Sequence, residues 1–252
     1  MIRFAMRKMR AWLELAAGIC LAPALALVTP APAAETADVA LVLAVDTSGS
    51  VDRHEYELQM RGIAAAFRDP EVIAAAAAGP AGRIAVTIET WGEPDYQKYT
   101  TGWAFVGDAA SAEAFAHTAE TFEGRMGGGT GIGVAIGYAL TLLQTSGIAS
   151  LRQVIDVSGD GVELGEIRTP HFTVKLAQTM RAKTGVVVNG LAITTDYPDL
   201  EAYYRANVAG GPGSFVMSIS SFDDYAVAMR RKLLRELQPE TAALRPPPVT
   251  AR

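Results

Sequence analysis

Val39-Ala40-Leu41-Val42-Leu43-Ala44-Val45-Asp46-Thr47-Ser48-Gly49-Ser50 is an apolar, β-branched-rich run that breaks into small oxygen-bearing side chains. The run predicts a strand buried on both faces, as parallel strands are. Asp46, Ser48 and Ser50 then leave its carboxyl end two residues apart. One carboxylate and two hydroxyls so spaced suit a hard divalent cation, which takes oxygen ligands and keeps waters. The carboxyl edge of an open parallel sheet is also where α/β folds place their ligands.

Downstream, Asp52-Arg53-His54-Glu55 predicts a capping box, and Tyr56, Met60, Ile63 and Phe67 follow on one helical face. Asp69-Pro70 restarts a short alanine-rich helix. Arg83–Trp91 predicts a second strand, Tyr99–Val106 a shorter one, and Asp108 or Ser111 caps a helix reaching about Phe122. Gly127-Gly128-Gly129-Thr130-Gly131 is a flexible loop feeding a helix over 132–143. Gln153–Val157 predicts a strand that delivers Ser158-Gly159-Asp160-Gly161 into a loop. A helix over 172–183, a strand over 186–194, a short helix capped by Asp199 and a strand over 214–218 follow. A last helix from Ser221 carries Phe222, Ala226, Met229, Leu233 and Leu237 on its apolar face. Strands alternating with helices imply an α/β fold with a doubly wound, mostly parallel sheet flanked by helices.

Asp46-x-Ser48-x-Ser50, Thr130 in its glycine-rich loop and Asp160 at a strand end resemble, in that order, the three parts of the metal-ion-dependent adhesion site of von Willebrand factor type A domains. The resemblance covers roughly residues 38–237. It implies a metal site of Asp46, Ser48, Ser50, Thr130 and Asp160, with Ser48, Ser50 and Thr130 touching the ion and the two aspartates acting largely through water. It implies Mg2+, with Mn2+ or Ca2+ as substitutes, and one coordination position left for an Asp or Glu of a protein partner. The chain is most similar to an exported bacterial subgroup of that family. The features it shares are Glu55-Tyr56-x-Leu58-Gln59, Trp91-Gly92, Ile155–Gly161, Asn189–Ile193 and Gly210–Phe215. The third element reads Ser-Gly-Asp-Gly where the family form is Thr-Asp-Gly, with a glycine inserted.

Arg3, Arg7, Lys8 and Arg10 precede an apolar run from Leu13 to Val28 and a small-x-small Ala31-Pro32-Ala33, the pattern of a secretory signal peptide over 1–33. The alternative is an uncleaved membrane anchor. The domain is expected at 34–237 and a proline-rich tail at 238–252, in a protein that is periplasmic or secreted. Cys20, the single cysteine, lies in the leader, which excludes disulfides, thiolate ligands and a catalytic cysteine from the mature chain. Setting aside the leader's four basic residues and one acid takes the formal charge from −5 to −8. No basic patch stands out, so nucleic acid is not an expected partner, and no second apolar run is long enough to span a bilayer.

Simpler readings compete at each position: the serines and Thr130 as backbone caps, and Asp160-Gly161 as a plain turn. Asp156, inside a strand, is expected to be structurally paired rather than a ligand, with support of the metal loop as the alternative, and Asn189 is expected to bond neighbouring backbone. The glycine-rich stretch matches neither phosphate-binding fingerprint. His54, His117 and His171 read as ordinary helix residues, and no nucleophile elbow is present. The expectation is a binding module and not an enzyme, with a metal-assisted hydrolase or an envelope-complex subunit holding a purely structural metal as alternatives.

Overall fold

The opening stretch forms the centre of the sheet. In a computed structural model describing residues 34–95, 97–164 and 173–238, β1 spans Thr36–Asp46 and is buried from Ala37 onward. It is followed by α1 (Arg53–Arg68), α2 (Pro70–Ala76), β2 (Ile84–Trp91), β3 (Tyr99–Thr100), β4 (Ala104–Val106) and α3 (Ala109–Thr121). Next come α4 (Ile132–Thr145), β5 (Ala149–Gly159), α5 (Val174–Arg181) and β6 (Val187–Ile193). α6 (Leu200–Tyr203) runs into a π turn over Tyr204–Val208, and β7 (Val216–Ile219) and α7 (Tyr225–Leu237) close the chain.

The strands lie in the order β3-β2-β1-β5-β6-β7, with β4 also on β2. β2, β1, β5, β6 and β7 run parallel, and β3 and β4 pair antiparallel with β2. The chain winds from β1 toward β2 first and then returns to the other side of β1 with β5, so the switch point lies between β1 and β5. Val39, Leu41, Leu43 and Val45 of β1 face one core with residues of α1, α2, α3 and α7. Ala40, Val42 and Ala44 face the other, where α4 and α5 pack. The helix ends follow local chemistry: Asp52 and Glu55 form the expected capping box, Asp69 caps α2 ahead of Pro70, and Asp108 caps α3 with Ser111.

The expected single strand over 99–106 is two short pieces, because Thr101–Trp103 breaks the pairing with β2. β5 is longer than expected at both ends, and Gly159 pairs in unbroken register with Ala192. That glycine occupies an ordinary strand position, and Asp160 follows directly. The helix expected from 172 begins at Val174, and residues 171 and 172 lie outside the described residues. So do residues 1–33, where the leader is expected, and the residues from 239. Among the described residues no helix is long and apolar enough to cross a membrane.

Candidate metal centre

The loop after β1 turns sharply because Asp46 bonds its own chain: its Oδ1 accepts the Ser48 amide at 2.7 Å. Thr47 is pinned to the end of β2, its amide and hydroxyl donating to the Trp91 carbonyl at 2.7 and 2.9 Å. Gln59 reaches up from α1 and donates to the Asp46 carbonyl at 3.0 Å. These bonds turn Ser48 and Ser50 toward β5, with their hydroxyl oxygens 3.2 Å apart. Ser50 Oγ donates to Asp160 Oδ1 at 2.7 Å, and the Asp160 amide lies 3.4 Å from Asp46 Oδ2.

The glycine-rich loop is stitched over this pair. Gly127 N donates to the Thr47 carbonyl at 2.8 Å, and Gly49 N to the Gly128 carbonyl at 3.0 Å. Gly127 and Gly128 take φ values of 96° and 91°, a left-handed backbone that other residues adopt at a cost. Glu93 Oε2 accepts the Gly129 amide at 2.7 Å. From α1, the Tyr56 hydroxyl donates to the Phe122 carbonyl and accepts the Gly124 amide, tethering the approach to the loop. Thr130 is thereby held in a buried position against Gly161, whose absent Cβ would stand 3.5 Å from its hydroxyl oxygen. Thr130 does not cap α4: Gly131 occupies the cap position, and Glu163 Oε2 accepts the Gly133 amide in the first turn. A carboxylate there answers the partial positive charge of a helix start.

All five expected residues therefore converge at the switch point. Asp46, Ser48, Thr130 and Asp160 are buried, and Ser50 is exposed. A cleft of about 490 Å3 opens above them, lined in part by Ser50, Thr130, Gly161, Leu164 and Tyr197. Burial, then the Asp160 charge, pushes the Asp46 carboxyl up to about 7. Burial also raises Asp160, with Asp196 adding to it and the Ser50 hydroxyl opposing it. Among the described residues no basic side chain is one of the groups that shift either carboxyl. Two buried carboxylates side by side without a cationic partner are costly. This donor set, carboxylates and hydroxyls with no sulfur or imidazole, fits a hard divalent cation. Among the described residues there is no group of three His, Cys, Asp or Glu side chains placed to hold a metal ion, so an ion here would depend on the hydroxyls as well as the two acids.

A family model described as protein of unknown function (DUF1194) matches residues 36–241. The chain belongs to that family. No curated protein matches this DUF1194 chain in sequence. Its fold is shared with proximal thread matrix protein 1 of the mussel byssus, at 16% identity over 80% of this chain and 46% of that one, with a TM-score of 0.56. It is shared with the pilus adhesin SpaC of Lactobacillus rhamnosus GG, at 15% identity over 80% and 30% of the chains and a TM-score of 0.56. It is shared too with the vWF domain of the pilus tip protein Mfa5 of Porphyromonas gingivalis, at 9% identity over 82% and 98% and a TM-score of 0.53. A structure of the mussel protein with a zinc-occupied MIDAS motif superposes with a TM-score of 0.55 at 17% identity. The DUF1194 chain spans less than half the length of the mussel protein and under a third of SpaC. The likenesses establish the fold of this DUF1194 chain as that of a von Willebrand A domain.

Sequence reasoning passed over Glu93 and Glu163, whose carboxylates brace the glycine loop and the start of α4. Each stands a few residues beyond the end of β2 or β5, the edge where the site was already expected. That position was the available signal. Asp156 pairs with Lys232, as expected, and Asn189 accepts the Phe215 backbone amide, as expected, while also donating to Glu236. His54 and His117 are exposed on α1 and α3, and His171 lies outside the described residues.

Proposed function

We propose that this chain is an exported, metal-dependent protein-binding module that captures an acidic side chain of a partner at the β1–β5 crevice. The observation that carries this reading is the convergence there of Asp46, Asp160, Ser48, Ser50 and Thr130 with, among the described residues, no basic side chain to balance the two acids. A divalent cation, Mg2+ by preference, with Mn2+ or Ca2+ able to replace it, would supply an electrophilic position for an external carboxylate. Ser48, Ser50 and Thr130 would hold it. Asp46 and Asp160 would balance its charge while the bonds from the Ser48 amide and the Ser50 hydroxyl fix their orientation.

Neutral hydroxyls in contact with a cation leave it attractive to a partner's carboxylate, and such capture needs no general base. Hydrolysis would need one, and among the described residues no histidine is one of the groups acting on Asp46 or Asp160. Adhesins and a zinc-bearing matrix protein among the fold relatives agree with the binding reading. Export is supported by the Arg-rich head and apolar run of residues 1–33, and the domain is assigned to 34–237 with a tail from 238.

Isothermal titration of metal-free protein with Mn2+ should give one saturable site with a Kd on the order of micromolar to millimolar. Changing Ser48 and Ser50 together to Ala should abolish it with an unchanged circular-dichroism spectrum, since both residues sit on a loop. Capture of a partner from envelope extract should require Mg2+ and disappear with chelator. Undiminished Mn2+ binding in the double variant overturns the site, and metal-dependent turnover of phosphate or ester substrates overturns the binding reading.

A further inference from the structure

Two strand glycines, Gly159 of β5 and Gly190 of β6, lack the left-handed backbone that usually explains a glycine. What they share is Tyr204. A Cβ on Gly190 would stand 2.8 Å from the Tyr204 ring, and one on Gly159 would stand 2.8 Å from its hydroxyl oxygen. The same Gly159 position is 2.6 Å from Asp46 Oδ2 and 2.9 Å from the Trp91 ring. The two glycines thus form a slot through which Tyr204 reaches the underside of the candidate metal centre. The π turn supports this reach: the Ala209 amide closes it onto the Tyr204 carbonyl at 2.8 Å, and such wide turns recur at functional sites.

The polar atoms meeting at this gap are poorly satisfied. The Tyr204 hydroxyl and the Trp91 indole nitrogen are buried and make no hydrogen bond to protein among the described residues. Asp46 Oδ2 has the long 3.4 Å approach of the Asp160 amide, whereas Oδ1 holds the Ser48 amide at 2.7 Å. A tyrosine serving only to fill the core would not need its hydroxyl aimed at a carboxylate, since a buried hydroxyl without a partner is destabilising.

We propose that Tyr204 is a positioning residue for Asp46: its hydroxyl donates to one bridging water at the gap beside Gly159, and that water donates to Oδ2. Buried polar groups converging on a small gap are the setting in which such waters sit. The bond fixes which way the Asp46 carboxylate faces and so presents Oδ1 to the Ser48 turn. Gly159, where the related form has threonine, is then the room this tyrosine needs. The consequence for cation binding rests on the metal reading above; the hold on Asp46 does not.

Tyr204→Phe keeps the ring in its slot and removes only the hydroxyl. In metal-free protein, hydrogen exchange read by mass spectrometry should become several-fold faster in peptides covering 47–50 and 159–161, whose Ser48 and Asp160 amides point at Asp46. β6, which packs on the ring, should exchange as before. Mn2+ affinity should fall about tenfold, the usual effect of losing a group that orients a metal ligand. Unchanged exchange at both loops, or faster exchange in β6 as well, as a mere packing role would give, overturns the assignment. A wild-type chain that binds no Mn2+ while the exchange effect appears would defeat the metal reading and leave the hold of Tyr204 on Asp46 standing.

Discussion

Glu89 lies in the middle of β2 with both carboxyl oxygens buried and, among the described residues, no hydrogen bond to either. Burial raises its pKa well above the ordinary carboxylate range, and the charge of Lys98 opposes this only in part. A carboxyl raised in this way stabilises the fold in its neutral form. That contribution is complete below its unfolded pKa and is lost as pH rises through the folded one. Glu89→Gln should therefore melt about 2–4 °C above the wild type at pH 8, with the gap closing toward pH 4 in thermal scans. At the candidate site, Thr130→Ala should weaken partner binding by about 1–3 kcal/mol, measured by titration in Mg2+, the scale of one lost contact to a charged group. The residues of the site itself were legible because their types and order carry the chemistry. Tyr56 and Gln59 stood in a quoted motif, yet their tasks, tethering the glycine loop and holding the Asp46 carbonyl, depend on partners 66 and 13 residues away. The apparent inserted glycine at 159 was opaque for the same reason. The tyrosine that explains it arrives from a different element.

At the scale of elements, α7 departs most from its sequence pattern. Of the expected stripe, Phe222, Met229, Leu233 and Leu237 are buried and Ala226 is half-buried, but Tyr225, Lys232 and Glu236 are buried beside it. A Lys and a Glu four apart read as a solvated helix pair. Here Lys232 Nζ lies 2.6 Å from Glu236 Oε1 and 2.8 Å from Asp156 Oδ1 of β5, and Asn189 of β6 donates to Glu236 at 2.8 Å. The lysine thus ties the helix to β5 and its partner Glu236 ties it to β6, and nothing local in the α7 sequence announces it. Burial, then the Glu236 charge, pushes Asp156 up to about 7 against the pull of Lys232. Removing the lysine leaves two buried acids without their cation. Lys232→Met should cost about 3–5 kcal/mol in denaturant unfolding at pH 7. The raised Asp156 contributes its stability below its unfolded pKa and loses it as pH rises through about 7, so the deficit of this variant should shrink at pH 4 to 5.

For the whole molecule, alternating strand and helix patterns identified the layered architecture, and the crevice follows from where the winding reverses. The antiparallel pieces β3 and β4 were less legible, because two- and three-residue pairings leave almost no periodicity to read. The leader makes a prediction of its own: protein recovered from the producing cell should show a mature N-terminus at or close to Ala34 by mass spectrometry. An intact Met1 on membrane-bound protein would indicate an anchor instead. Those same short strands have a second effect. They occupy the outer edge of β2, and the opposite edge of the sheet is β7, only four residues long. Long open strand edges are templates on which chains add to one another. With both edges this brief, copies of the domain crowded side by side have little backbone on which to polymerise, so association is left to side chains.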